Sequence, residues 1–206
     1  MAHKPFSQAC ENNKAPIFQV LQNVFTEAVT VWEIGSGTGQ HACHFAGRLP
    51  HLVWQPTDLA ENIAGMQMWL DEAALANINP PLILDVTEPV WLLGDFAIDA
   101  LFTANTLHIM AWHSVQLFFS GLAKHLNAGA KVCIYGPFNY QQCYTSQSNA
   151  QFDQWLKNRD PLSGIRDFEA VAALARQAGL VLQDDVAMPA NNRLLVFVKH
   201  IEREAA

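Results

Sequence analysis

Four cysteines stand in 206 residues, at positions 10, 43, 133 and 143, and no two form a C-x-x-C pair. This spacing excludes a zinc ribbon, a thiol redox motif and a disulfide framework. Unpatterned thiols fit a reducing, cytoplasmic compartment. Basic residues are scarce: 12 Lys and Arg against 19 Asp and Glu, for a net charge of −7. Such a balance argues against general nucleic-acid binding, which needs cations to neutralise phosphates. No apolar run approaches the ~20 residues that cross a bilayer. The start, Ala2-His3-Lys4-Pro5, lacks the apolar centre of a secretion signal. No membrane association is expected. Internal repeats and low-complexity linkers are missing too, so residues 1–206 read as one domain.

Half the residues are hydrophobic, enough for a globular core. The organising stretch is Thr30-Val31-Trp32-Glu33-Ile34-Gly35-Ser36-Gly37-Thr38-Gly39-Gln40-His41. An apolar run ends in a turn with glycines at alternate positions, and a helical pattern follows. Strand, glycine turn and helix together make a nucleotide-cofactor site, because a ligand can approach such a backbone closely. Position 40 is Gln where a dinucleotide fingerprint requires glycine, and no Gly-Lys-Ser/Thr closes a phosphate loop.

Along the chain, residues 1–15 read as irregular. A helix is expected to start near Pro16, capped by Asn13, with Ile17, Val20, Leu21, Val24 and Phe25 on one face. Leu52–Asp58 reads as a second strand. Its terminal Asp58 stands about twenty residues past the glycine turn, the distance of a ribose-reading carboxylate, which the spacing favours over a cap on the next helix, Glu61–Leu75. Pro81–Thr87 reads as a short third strand containing Asp85. Phe96–Asn105 is a buried parallel strand, so Asn105 and His108 lie where ligands sit in open α/β sheets. A helix near Ser114–Leu126 and a strand, Lys131–Tyr135, follow. His41 and His44 have no third ligand nearby, and no metal site is expected.

Residues 139–167 read as an insertion over the substrate site with a helix near Asn149–Lys157. Asn139, Tyr140, Tyr144, Arg159 and Arg166 are its candidate binders. Arg159 with Asp160 and Arg166 with Asp167 read equally as surface ion pairs. A helix, Phe168–Ala178, precedes two strands, Leu180–Met188 and Arg193–Lys199, joined as a hairpin.

Glu-x-Gly-x-Gly-x-Gly, with the element order around it, resembles class I methyltransferases that use S-adenosylmethionine (SAM). Glu11-Asn12-Asn13-Lys14-x-Pro16-Ile17, Gly35–His41, Trp54–Asp58, Leu84–Thr87, Tyr135-Gly136-Pro137, Ser148-Asn149-x-x-Phe152-Asp153 and Met188–Asn192 resemble a small methyltransferase-like family of unknown function. The resemblance implies a single-domain, doubly wound α/β fold: a mostly parallel seven-stranded sheet with a C-terminal antiparallel hairpin. It implies SAM as cofactor, held by Glu33, Gly35, Ser36, Gly37, Gly39, Asp58 and Asn105. Asp85 would accept from the adenine amino group or form a turn. Residues 1–15 would form a lid with Lys14 on the cofactor's carboxylate. Its acceptor, a small molecule or peptide, is not specified. His108 is the candidate base for a hydroxyl nucleophile. A binding module for SAM or S-adenosylhomocysteine (SAH) without turnover, or an NAD(P) oxidoreductase, are the competing readings.

Overall fold

A computed structural model describes residues 4–91 and 98–200. Positions 1–3 of the expected lid, and Phe96 and Ala97 of the expected fourth strand, lie outside these residues.

The chain opens with helix α1 (Gln8–Val24) and strand β1 (Thr30–Ile34), then α2 (Gln40–Ala46), β2 (Val53–Asp58), α3 (Ala60–Ala73) and β3 (Leu82–Ile83). After β4 (Ile98–Ala104), α4 (Trp112–His125) and β5 (Leu126–Gly136) come β6 (Phe138–Asn139), α5 (Gln147–Arg159), β7 (Arg166–Asp167) and α6 (Phe168–Gln177). Strands β8 (Leu180–Met188) and β9 (Asn192–Lys199) close the described chain, joined by a 3-10 turn at Pro189–Asn191. Seven strands form one sheet in the order β3-β2-β1-β4-β5-β9-β8, and β6 pairs with β7 in a ladder of two residues each. Strands β3 to β5 run parallel, while β9 is antiparallel to both neighbours. This is the Rossmann-like methyltransferase fold, as expected.

Alternation along β1 divides the core. Val31 joins Trp54, Phe102 and the α1 and α2 residues Ile17, Leu21 and Phe45 on one face. Trp32 and Ile34 join Phe118, Phe119 and Leu122 of α4 and Val171 and Ala175 of α6 on the other. Each large side chain buried here contributes about 1.5–3 kcal/mol. Strand order reverses between β1 and β4, and the C-terminal strand ends at such a reversal are where open α/β sheets hold ligands.

Three expectations are corrected. Helix α1 starts at Gln8, capped by the Ser7 hydroxyl accepting from the Cys10 N–H at 3.3 Å. Asn13 is therefore a buried helical residue and not a cap, and Pro16 lies in the helix interior. An interior proline costs about 3 kcal/mol; burial of Ile17 and Leu21 and the polar docking described below offset it. The third strand shrinks to Leu82–Ile83, because Asp85 folds the chain into a turn, accepting from the Thr87 N–H at 2.8 Å and its hydroxyl at 2.7 Å. Strand β5 begins at Leu126, five residues earlier than expected for this strand, and takes up Gly129 at φ +83° beside a register shift against β4.

Both sheet edges are blunt. Strand β3 has two residues, after Pro80-Pro81. In β8 the register shifts between Leu182 and Asp184.

Candidate functional site

The glycine turn is built on β2. The N–H groups of Gly35 and Ser36 both donate to Thr57 O at 3.0 Å. Ser36 is buried; its hydroxyl donates to Glu33 O and accepts from the Thr57 N–H, each at 3.2 Å. The Gly37 N–H donates to Asp58 Oδ2 at 2.6 Å. The glycine turn and the acid at the end of β2 thus meet, as their spacing predicts. Asp58 Oδ1 accepts from the Leu59 N–H and Asn62 Nδ2, both at 2.7 Å. A carboxylate offers about four acceptor sites, so these three donors leave capacity for one more.

Two glycines show opposite constraints. At Gly35, φ is +73° and a Cβ would lie 2.4 Å from the Thr106 methyl, so no side chain fits. At Gly37, φ is +57° and a Cβ would meet nothing within 4 Å. That face of the turn is open to a ligand.

Thr103 and Thr106 carry this geometry to the end of β4. Thr103 Oγ1 bonds Ile34 O at 2.7 Å and Thr106 Oγ1 at 2.6 Å. Asn105 between them is left-handed, φ +59°, and its N–H donates to Tyr135 O at 2.9 Å. His108 follows, 5% exposed, its ring edge-on to Phe152 at 5.4 Å. Burial, reinforced by the nearby Arg166 charge, lowers His108 to about 4, so the imidazole is neutral at physiological pH.

Glu33 is 1% exposed and accepts from the Trp54 indole N–H at 2.8 Å. Burial pushes its carboxyl up to about 8, with Asp58 adding to the rise. The acid before the glycines therefore carries a proton at neutral pH. Asp85 stands next to Leu84, whose N–H donates to Asp58 O at 2.9 Å, but one of its oxygens is engaged by Thr87.

Helix α1 is docked on the glycine turn. Gln40, 3% exposed, pairs with the Ser7 backbone as a strand would: Ser7 N–H donates to Oε1 at 2.6 Å and Nε2 donates to Ser7 O at 3.3 Å. Nε2 also reaches Glu11 Oε1 at 2.7 Å, and Glu11 Oε2 pairs with Lys14. His41 Nε2 donates to Asn13 Oδ1 at 2.7 Å. Sequence reasoning missed this network. Its signal is the Gln at position 40, where a dinucleotide pattern has glycine.

The 139–167 segment separates its candidates. The Arg166 guanidinium donates to Leu107 O at 2.9 Å, to Met110 O, and to Leu162 O at 3.0 Å. It clips the His108 loop to the segment instead of pairing with Asp167. Phe152 brings α5 against His108. Asp153, 2% exposed, ties the segment together by accepting from Tyr144 Oη and Lys157 Nζ, both at 2.6 Å, and from the Ile165 N–H at 2.6 Å. Tyr140 donates to Asp185 of β8 at 2.6 Å and stacks on Phe168. Arg159 lies 5.3 Å over the Trp155 ring, in the exposed part of the segment. Asn139 faces the ladder with Asp167, and the Oδ1 atoms of both are buried without a hydrogen-bond partner among the described residues.

Solved structures share this fold. An O-methyltransferase family protein from Burkholderia thailandensis superposes with TM-score 0.81 at 17% identity, covering 92% of this chain and 57% of that one. An O-methyltransferase family 2 protein from Planctomyces limnophilus, solved with apigenin, gives 0.79 at 14% identity over 93% and 57%. PigF, solved with SAH, gives 0.76 at 16% identity over 90% and 55%. The chain spans a little over half the length of each. Residues 4–199 match the model of a single family, and the chain belongs to that family, described as "Protein of unknown function (DUF938)".

Proposed function

We propose that the protein is a SAM-dependent methyltransferase acting on a hydroxyl of a small molecule or peptide. The observation that carries this reading is the Gly37–Asp58 contact at the strand-order reversal, with the open face of Gly37 beside it. A phosphate-free nucleoside cofactor suits that pair: a backbone without a Cβ, next to a carboxylate with one acceptor site left for a ribose hydroxyl. The O-methyltransferase names of the similar structures, and the SAH in PigF, support the same direction. SAM supplies an activated methyl group on a sulfonium. The chain's own residues supply the rest. Asp58 and Gly37 orient the cofactor, Phe152 and the α5 segment exclude water, and neutral His108 accepts the hydroxyl proton.

A second reading has its own observation. His108 is almost fully covered, which suits a module that retains SAM or SAH without turnover. An NAD(P) oxidoreductase is disfavoured by the buried Gln40 and by the antiparallel β8–β9 pair.

Isothermal titration with SAM, SAH and NADH tests the proposal. SAM and SAH are expected to bind and NADH not to. Asp58→Asn is expected to weaken SAH at least about tenfold, the effect of a lost charge-assisted hydrogen bond. Absence of any binding by the wild type overturns the proposal. Methyl transfer to any acceptor in a cell extract separates the enzyme from the silent binder.

A further inference from the structure

The end of the sheet opposite the glycine turn, where β4, β5 and β8 begin and β9 ends, carries a charge pattern that the site above does not use. Strand β5 opens there with Asn127 and Ala128, both exposed, and turns at Gly129. Ala128 lines two separate hollows, one toward α1 and one toward α6, the helices that cover opposite faces of the sheet. The hollow beside α1, about 650 Å³, holds the exposed carboxylates Glu27, Asp99 and Asp184 against one half-buried Lys131. The hollow beside α6, about 490 Å³, holds Arg176, Lys199 and His200 and, among the described residues, no acid. Asp99 accepts from Asn127 Nδ2 at 2.6 Å, and Lys199 donates to Ala178 O and Ala123 O at the ends of α6 and α4. Glu27 and Arg176 are both exposed, and neither side chain has a partner among the described residues.

We propose that this end of the molecule is the contact between two copies of the chain, related by a two-fold axis across the Ala128 ridge, with the acidic hollow of each copy on the basic hollow of the other. Opposite charges on either side of one ridge make a surface complementary to itself. Half a turn about that axis sets each acid against a base, and every contact is made twice. A surface of one sign has no such partner in its own copy. Each chain also carries a net charge of −7, so copies repel in every approach that does not set the basic hollow against carboxylates. Local charge therefore selects the register. The centre of the contact requires short side chains, which Ala128 and Gly129 supply, and Val181, 48% exposed, adds apolar area beside them. The charged pairs lie at the solvated rim, so the association is weak and sensitive to salt. The glycine turn, at the other end of the strands, stays clear of the contact.

Sedimentation velocity of the full chain over a concentration series tests this. Wild type is compared with an acid-reversed variant (Glu27→Lys with Asp184→Lys) and a base-reversed variant (Arg176→Glu with His200→Glu), each checked by thermal melting. All four positions are exposed, so both variants are expected to fold. Wild type is expected to dimerise, with a dissociation constant that rises at least about tenfold between about 50 and about 500 mM salt. Each variant alone is expected to dimerise at least about tenfold more weakly than wild type. An equimolar mixture of the two is expected to recover the dimer, because an acid-reversed copy presents two basic hollows and a base-reversed copy two acidic ones. Where a double change lowers the melting temperature, the single changes Glu27→Lys and Arg176→Glu carry the same mixing test. Wild type that stays monomeric at every concentration overturns the proposal. A dimer that both variants keep does so too, because it lies elsewhere on the surface. A mixture that stays monomeric also overturns it, because the losses then do not come from paired charges.

Discussion

His108 sits where two demands conflict. A base must be neutral to accept a proton, and burial secures that; burial also makes the protonated form costly and so weakens the base. With its ring lowered to about 4, the fraction able to accept is complete well below neutrality. Activity is therefore expected to be flat in this group from pH 5.5 upward and to fall only near pH 4. His108→Ala is expected to lower kcat by about 10²-fold, within the usual range for general base catalysis. A methylation assay at saturating acceptor checks it, and unchanged turnover removes His108 from the reaction. Gly121 poses a purely steric case. A Cβ there would lie 2.1 Å from the Trp91 ring, which also stacks on His125 at 5.4 Å. Gly121→Ala is expected to destabilise the fold by about 1–3 kcal/mol through overpacking, read as a lower melting temperature.

At the level of elements, the joint between α1 and the glycine turn is the least obvious part of the fold. Gln40→Ala strips partners from the Ser7 N–H, Ser7 O and Glu11, each partly buried, at a cost of about 1–3 kcal/mol. Hydrogen exchange is expected to quicken over residues 8–14 while β1 and β4 keep their protection. Uniform quickening across the sheet would mean that α1 is not a separate unit. Here the sequence pattern also fell short. The apolar spacing from Ile17 to Phe25 marks the buried face of α1, but its first turns bury amides and an imidazole, which carry no hydrophobic period. Proline at 16 then reads as a start, since its rigid φ suits a first turn better than a third. Asp85 failed similarly: Leu82-Ile83-Leu84 reads as a strand, and only the Asp–Thr87 hydrogen bonds, a choice between two local conformations, end it. Strands β1 and β4 were legible because most of their residues are apolar. Glycines 35, 37 and 39 and Asp58 were legible because backbone chemistry permits few substitutes. Arg166 was not, since its partners are three backbone carbonyls, which sequence does not advertise.

Across the whole molecule, buried titratable groups set opposing pH limits. Burial lowers His41 to about 3 and His44 and His108 to about 4. The unfolded chain binds protons near pH 6.5 that the native state refuses, so this stability is present above pH 6.5 and is lost as pH falls toward 4. Glu33 acts with the other sign. The native state keeps its proton up to about 8, while the unfolded chain gives it up near 4.5. Its contribution is present below 4.5 and is lost as pH rises to 8, at no more than about 1.4 kcal/mol per pH unit. Between 4.5 and 6.5 three histidines outweigh one glutamate; above 6.5 Glu33 acts alone among these groups. Melting temperature is expected to peak near pH 6.5, and Glu33→Gln to abolish the decline between 6.5 and 8. Parallel profiles for the two proteins would show that Glu33 is ionised in the native state.

The blunt edges of the sheet decide how this molecule behaves in a crowd. An open α/β sheet presents two rows of unpaired backbone groups, and each is a template on which a foreign strand can grow. At one side the template is two residues long and opens with prolines. At the other, Val181 and Leu182 are exposed, yet the register break and the carboxylates of Asp184 and Asp185 interrupt the run before a six-residue zipper can form. Fibril growth is thus resisted locally, at a single break in β8. Asp184→Val would lengthen the apolar run and leave the glycine turn untouched, turning a tolerated edge into an adhesive one.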